Sequence, residues 1–342
     1  MLNADETLSL FVEVTRADLV ESRHHGSAAI VDAAGYVVES WGDIDRPMYP
    51  RSAFKAIQAL PLVETGAADA FGLDDRHLAL ACASHSGEPA HTGVVLEWLS
   101  RIGCGVADLE CGAQRPIDQK TADALLTSGE PWTCAHNNCS GKHTGMLTTA
   151  RHMGEPTRGY IDVNHPVQRR VVEALEAMSD FEVGGPRRGI DGCSLPAFIM
   201  PLKALATAMA RYADPSALPP ARRAAVLRIR KAWGAHPYLV AGRDRFCTRI
   251  MTAVEGRFTV KTGAEGVFCA CLPEQGLGIA LKIDDGAGRA SSVAMAALLR
   301  RVGAIDQALF EELSHDPARH ITNLNGWKVG ELRSAADLAV RQ

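Results

Sequence analysis

Phe258-Thr259-Val260-Lys261-Thr262-Gly263-Ala264-Glu265-Gly266-Val267-Phe268-Cys269-Ala270-Cys271-Leu272 is the stretch on which the fold turns. It opens with a short β-rich run, breaks at Gly263 to Gly266, and resumes as an apolar run of strand length. Gly278–Ile283 follows as a third strand signal. The same kind of signal occurs at the other end of the chain, over residues 7–48. There Leu8 to Thr15 alternates, and Ala28–Val31 and Tyr36–Ser40 flank Asp32-Ala33-Ala34-Gly35, a hairpin turn with Gly where positive φ is expected. The character changes at Tyr49, where Pro50-Arg51-Ser52 leads into a helical spacing over Ala53–Leu60. Residues 65–240 read as mainly helical, in Ala-rich segments parted by Gly and Pro. Val167–Met178 and Pro196–Tyr212 are the clearest helices, the second with a kink at Pro201; Thr248–Val254 and Ala290–Val302 are two more. Strands at both ends around a helical middle predict a mixed α/β (α+β) fold. Its antiparallel sheet is built from both chain ends, with an inserted helical subdomain. One domain over 1–342 is expected, with 1–50 and 245–342 as the sheet subdomain and 51–244 as the helical one.

Composition narrows the function. The 342 residues carry 36 basic and 40 acidic side chains, a net charge of −4, which speaks against a nucleic-acid binder. No apolar run is long enough to span a bilayer. The acidic start Met1-Leu2-Asn3-Ala4-Asp5-Glu6 lacks the basic and apolar regions of a signal peptide, so a cytoplasmic location is expected. Nine scattered cysteines do not suggest a disulfide framework. Only eight of the 36 basic residues are lysine, and unlike arginine a desolvated lysine can accept a proton. Three of the eight sit in compact polar motifs.

In Ser52-Ala53-Phe54-Lys55, i,i+3 spacing on a helix would put hydroxyl and amine on one face. A neutral lysine can then take the serine proton, and the Ser52 N–H at a helix start can hold an oxyanion. Lys261-Thr262-Gly263 ends a strand, where Gly lets a substrate lie close. Between them, Ser84-His85-Ser86-Gly87-Glu88-Pro89 is a polar loop whose first serine could pass a proton to a leaving group. Asn137-Asn138-Cys139-Ser140-Gly141-Lys142-His143 enters a helix, a place that lowers a thiol pKa, so Cys139 is expected to favour the thiolate. Gly189-Ile190-Asp191-Gly192-Cys193 is a second cysteine turn, read as lying before a helix; two thiolates from separate loops could share a zinc ion.

S-x-x-K followed by a middle serine motif and K-T-G is the pattern of serine β-lactamases and penicillin-binding proteins. The five motifs together, Pro50–Lys55, Ala83–Glu88, Cys139–Met146, Gly189–Cys193 and Val260–Gly266, resemble the asparaginase II family, or thermolabile L-asparaginase of the rhizobial type. The resemblance runs from about Leu10 to the tail. It implies a serine β-lactamase/penicillin-binding-protein-like fold and hydrolysis of L-asparagine to L-aspartate and ammonia. It implies two Ser–Lys pairs, Ser52 with Lys55 and Ser84 with Lys261, and a zinc ion on Cys139, Lys142 and Cys193 with Asp191 beside it. Arg51, His85, Glu88, Thr262, Gly263 and Ala264 become substrate-binding or supporting residues, with the Ala264 N–H as second oxyanion donor. Cys247 falls where the family places a nearby cysteine. A homodimer and a small-molecule substrate are implied too, with no nucleic-acid or membrane partner. Three other readings stay open: another serine hydrolase of the β-lactamase or glutaminase type, a cysteine amidase using Cys139 with His143 as base, and a metal-binding protein without activity.

Overall fold

The computed structural model describes residues 9–185, 188–314 and 319–339. The N-terminal segment read for a targeting signal lies outside them. The strands are, in chain order, β1 (Ser9–Arg16), β2 (Leu19–Asp32), β3 (Val37–Trp41), β4 (Pro47–Met48), β5 (Arg188–Ile190), β6 (Pro196–Phe198), β7 (Met200–Pro201), β8 (Thr259–Thr262), β9 (Val267–Leu272), β10 (Leu277–Ile283), β11 (His320–Thr322) and β12 (Lys328–Ser334). Eight of them form one sheet in the order β11-β12-β1-β2-β10-β9-β8, with β3 also on β2. The N-terminal strands β1 and β2 lie between C-terminal strands on both sides, so the expected sheet drawn from both chain ends is what the topology shows. The pairs β1–β2, β2–β3, β2–β10, β9–β10 and β1–β12 are all antiparallel.

The chain divides into two compact units. The sheet unit holds the residues up to Ala53, Met200–Asp214, and the residues from Val260 on. Its hub is β2, long enough to serve β1 through Leu19–Gly26 and β3 through Ala28–Val31 while Gly26–Asp32 pair with β10. The β2–β3 turn carries Gly35 at φ +88, as its sequence predicts. Every residue of β9 is buried, which requires cover on both faces of the sheet. The helices Leu202–Ala213 and Gly288–Arg301 both pack on β9 and β10. Gly278 of β10 admits the first of them closely: a Cβ there would stand 2.2 Å from the Ala206 carbonyl oxygen and 2.2 Å from the Ala210 nitrogen. Each apolar side chain so buried contributes about 1.5–3 kcal/mol.

Two expected elements change. The helix read over Pro196–Tyr212 is instead β6, β7 and a helix that starts at Leu202, with Pro201 at its N-cap. A proline fixes φ and offers no N–H, so it suits a helix start better than a helix interior. The helix read over Ala53–Leu60 opens as a 3-10 turn, Arg51–Phe54, followed by the short helices Lys55–Gln58 and Leu60–Glu64.

The helical unit comprises Phe54–Ile199 and Pro215–Thr259. Helix Ser140–Met153 runs through its middle and is buried continuously from Ser140 to Ala150. A helix buried all round needs small residues where neighbours cross. Gly141 meets that need, because a Cβ there would lie 2.3 Å from the Leu80 carbonyl oxygen. The helices Asp75–Ala81, Pro89–Arg101 and Pro166–Ser179 pack around it.

Candidate active site

In the sheet unit, the Ser52 turn is built by strain and by a close strand. Arg51 stands at φ +49, the left-handed region that costs a non-glycine residue about 1 kcal/mol or more. The Ala53 N–H donates to the Pro50 carbonyl at 3.0 Å, and the Ala53 carbonyl accepts from the Cys269 thiol at 3.1 Å. A Cβ on Gly263 would meet the Pro50 oxygen at 3.0 Å and the Ala53 nitrogen at 3.4 Å. The end of the Lys261-Thr262-Gly263 strand therefore passes directly beside the turn that carries Ser52. Lys261 is buried, and its Nζ donates to the Thr262 carbonyl at 2.9 Å. Thr262 Oγ1 donates to the Gly263 carbonyl at 3.3 Å. The Gly263 N–H donates to Val267 at 2.7 Å, closing a tight turn with Ala264 exposed on it.

In the helical unit, a second cluster forms around Lys55, which is fully buried. Its Nζ donates to the Ala83 carbonyl at 2.5 Å, to Ser84 Oγ at 2.8 Å and to Cys139 Sγ at 3.1 Å. Burial pushes the Lys55 amine below its ordinary range, more than the nearby thiols raise it. Lys142, buried on helix Ser140–Met153, donates to Cys193 Sγ at 3.3 Å. The turn Asp191-Gly192-Cys193 joins β5 to β6 rather than preceding a helix, and Asp191 Oδ1 holds the Gly192 N–H at 2.8 Å.

Cys139 does sit at the start of helix Ser140–Met153, yet the expected thiolate is not what its surroundings favour. A hydrogen bond to Cys193 and burial push the Cys139 thiol up to about 12, and its sulfur donates to Asn138 Oδ1 at 2.9 Å. The same Cys139 hydrogen bond, helped by Lys142, brings the Cys193 thiol down to about 5. Lys142 is driven the other way: burial opposes its charge, but the two sulfurs and Asp191 outweigh that and raise it.

His143 does not join Cys139. Its Nδ1 meets the Tyr160 hydroxyl at 2.8 Å, and its Nε2 is buried without a partner, so the Cys139–His143 dyad is not formed. His85 is likewise a neutral, supporting residue. It accepts the Gly87 N–H on Nδ1 at 3.1 Å and donates from Nε2 to Ser140 Oγ at 2.9 Å, and Ser140 donates on to the Ala135 carbonyl at 2.9 Å. Burial holds His85 well below the usual imidazole range. Glu88 is buried against Tyr238 and Arg243. Cys247 is buried on the helix Phe246–Ala253.

The structure thus gathers Arg51, Ser52, Lys261, Thr262 and Gly263 in the sheet unit. It gathers Lys55, Ser84, Cys139, Lys142 and Cys193, with His85 behind them, in the helical unit. Sequence reasoning missed the Ala83 carbonyl, Asn138 and the segment Tyr238–Arg243. A lone Gly242 between an apolar and a charged run is the one signal that could have found the last of these. Among the described residues no group of three or more His, Cys, Asp or Glu side chains is placed to hold a metal. The donor set expected for zinc is two thiols and an amine. Two sulfurs in hydrogen-bonding contact with an amine beside them form a set that a zinc ion accepts, once all three have given up their protons.

Among solved structures the chain is similar to a β-lactamase from Mycobacterium bovis, with 14% identity, a TM-score of 0.39, and 78% of this chain and 89% of that one covered. It is also similar to Mglu in its native form, with 14% identity, a TM-score of 0.43, and 80% and 64% covered. A third is the D-alanine carboxypeptidase AmpC from Burkholderia cenocepacia, with 13% identity, a TM-score of 0.38, and 78% and 90% covered. No curated protein matches the chain in sequence. The family model for L-asparaginase II matches residues 12–334, a span that takes in all five motifs and both clusters. The chain belongs to the L-asparaginase II family and is an asparaginase-type amidohydrolase.

Proposed function

We propose that the protein hydrolyses L-asparagine to L-aspartate and ammonia through Ser52 as nucleophile, with Lys55 as its base. The observation that carries the reading is the environment of Lys55: an amine sealed from water and ringed by a carbonyl, a hydroxyl and a sulfur, with no carboxylate among its hydrogen-bond acceptors in the described residues. Burial presses the amine toward its neutral form, in which one of these contacts gives way to a lone pair able to take a proton. Lys55 would take the Ser52 proton as the oxygen attacks the side-chain amide carbon. Ser84, already 2.8 Å from Lys55 Nζ, would pass a proton to the departing ammonia. Sequence reasoning pairs Ser84 with Lys261; the contact with Lys55 adds a second amine to the relay. The N–H groups of Ser52 and Ala264 would hold the oxyanion, and Lys261 would add positive charge. Water then resolves the acyl-enzyme.

The same reading places zinc on Cys139, Lys142 and Cys193, where it would supply positive charge to fix the amino or carboxylate end of the substrate. Asp191 would hold the α-amino group. A homodimer and a cytoplasmic place of work complete the proposal, tested by sedimentation and by cell fractionation. Ammonia release decides the activity. Asparagine should be turned over, and glutamine more slowly, since one methylene discriminates by about 10–200-fold. No release from either amide by the folded protein, with and without added zinc, overturns the reading.

A further inference from the structure

The loop Ser84–Glu88 has no regular secondary structure, so something else must hold the Ser84 hydroxyl at Lys55. Its backbone meets the Asn138 carbonyl through the His85 N–H at 3.2 Å and the Asp118 N–H through the Ser86 carbonyl at 3.0 Å, and at Ser84 itself the partner is the segment 238–243. The Ser84 N–H donates to the Val240 carbonyl at 2.9 Å, and Ser86 Oγ donates to the Ala241 carbonyl at 3.0 Å. His91 Nε2 donates to the Tyr238 carbonyl at 2.9 Å. The Tyr238 hydroxyl donates to Glu88 Oε2 at 2.5 Å, and the Arg243 N–H donates to Glu88 Oε1 at 2.9 Å. The rings of His85, His91 and Tyr238 stack in turn, with centroids 4.8 and 5.2 Å apart and planes 9° and 12° from parallel. Gly242, at φ +117, lets the two backbone segments approach; a Cβ there would stand 2.4 Å from Ser86 Oγ.

Glu88 is the buried charge at the heart of this contact, 1% exposed, with the Arg243 guanidinium 3.4 Å from its Oε2. A buried carboxylate is costly unless it is paired, so it enforces its own partners. Burial, with Glu88 beside it, pushes the Tyr238 hydroxyl up to about 12, which keeps it a donor at any working pH.

We propose that Glu88, clamped between the Tyr238 hydroxyl and the Arg243 backbone, is a positioning residue that fixes the 238–243 segment and through it the Ser84 hydroxyl at Lys55. This rests on the reading of Ser84 as a proton relay. Glu88 touches no reacting atom; it acts two steps away, through the Val240 carbonyl and the Ser84 N–H. A displacement of about 1 Å at a relay group is enough for a roughly 100-fold loss of rate.

The test compares Tyr238→Phe and Glu88→Gln with Glu155→Gln, which loosens the half-buried Glu155–Arg170 pair at 2.6 Å without touching the loop. Three readings are taken: kcat and KM for asparagine, Tm, and amide hydrogen exchange of peptides spanning residues 82–91. The expected result is a kcat loss of about 10–100-fold in both clamp variants with KM within about threefold, and faster exchange over 84–88. Glu155→Gln should lower Tm with kcat and that exchange unchanged. A kcat loss no larger than that of Glu155→Gln, or unchanged exchange over 84–88, overturns the clamp. Should Tyr238→Phe fail to fold, Glu88→Gln decides alone. A wild type that releases no ammonia refutes the functional reading instead, and the exchange measurement then judges the clamp by itself.

Discussion

Replacing Lys55 by Met separates catalysis from folding, because a thermal melt reads the one and kcat of the folded fraction reads the other. Lys55 is fully buried and donates to three acceptors. A buried hydrogen bond is worth about 1 kcal/mol net, so losing three costs about 3 kcal/mol. A methionine of similar length refills the space but leaves the Ala83 carbonyl, the Ser84 hydroxyl and the Cys139 sulfur without this donor, so the stability loss should stay at about 3 kcal/mol. A general base contributes roughly 10²–10⁴-fold, so kcat for ammonia release should fall at least 100-fold. Lys55→Arg should fall about as far, since a guanidinium keeps its proton. The assay is coupled ammonia release with purified protein, alongside a thermal melt. A folded Met variant keeping more than about a tenth of wild-type kcat would refute the assignment of Lys55 as base.

Three further outcomes are expected. Ser52→Ala should abolish turnover with a Tm within about 2 °C of wild type; full activity in that variant means another nucleophile. Cys193→Ser should lower zinc content, read by metal analysis after dialysis against zinc, because it removes one of the two sulfurs of the proposed donor set; equal zinc in wild type and variant rejects the site. Gly278→Ala should cost about 3 kcal/mol, since its Cβ would meet backbone atoms at 2.2 Å and push the helix Leu202–Ala213 off the sheet. That is a Tm drop of roughly 6–12 °C, and an unchanged melt would mean that the helix shifts freely.

The motifs were legible because chemistry restricts residue type locally. Lysine is rare in this chain, so Lys55, Lys142 and Lys261 stood out, and all three prove buried. Strand signals at both ends were legible because apolar runs of strand length bounded by Gly seldom suit any element but a strand. Pro196–Tyr212 misled because periodicity alone does not separate a short buried strand from a helical start, and β6 and β7 are only three and two residues long. The thiolate expected at Cys139 failed for a different reason. A helix N-terminus lowers a thiol pKa, but a hydrogen bond to a second thiol 54 positions along the chain, together with burial, raises it, and no local rule foresees that neighbour. Tyr238 and Arg243 were invisible for the same cause: about 150 residues separate them from Glu88.

The sequence by itself determined the class of fold and the cast of reactive groups, because hydrophobic period and side-chain chemistry are properties of neighbours in the chain. Tertiary structure alone decided which amine faces which hydroxyl, which two thiols lie together, and which segment Glu88 meets across the chain. Those depend on burial and on contacts between residues far apart in the chain, where removal of water sets both the strength of a hydrogen bond and the cost of a charge.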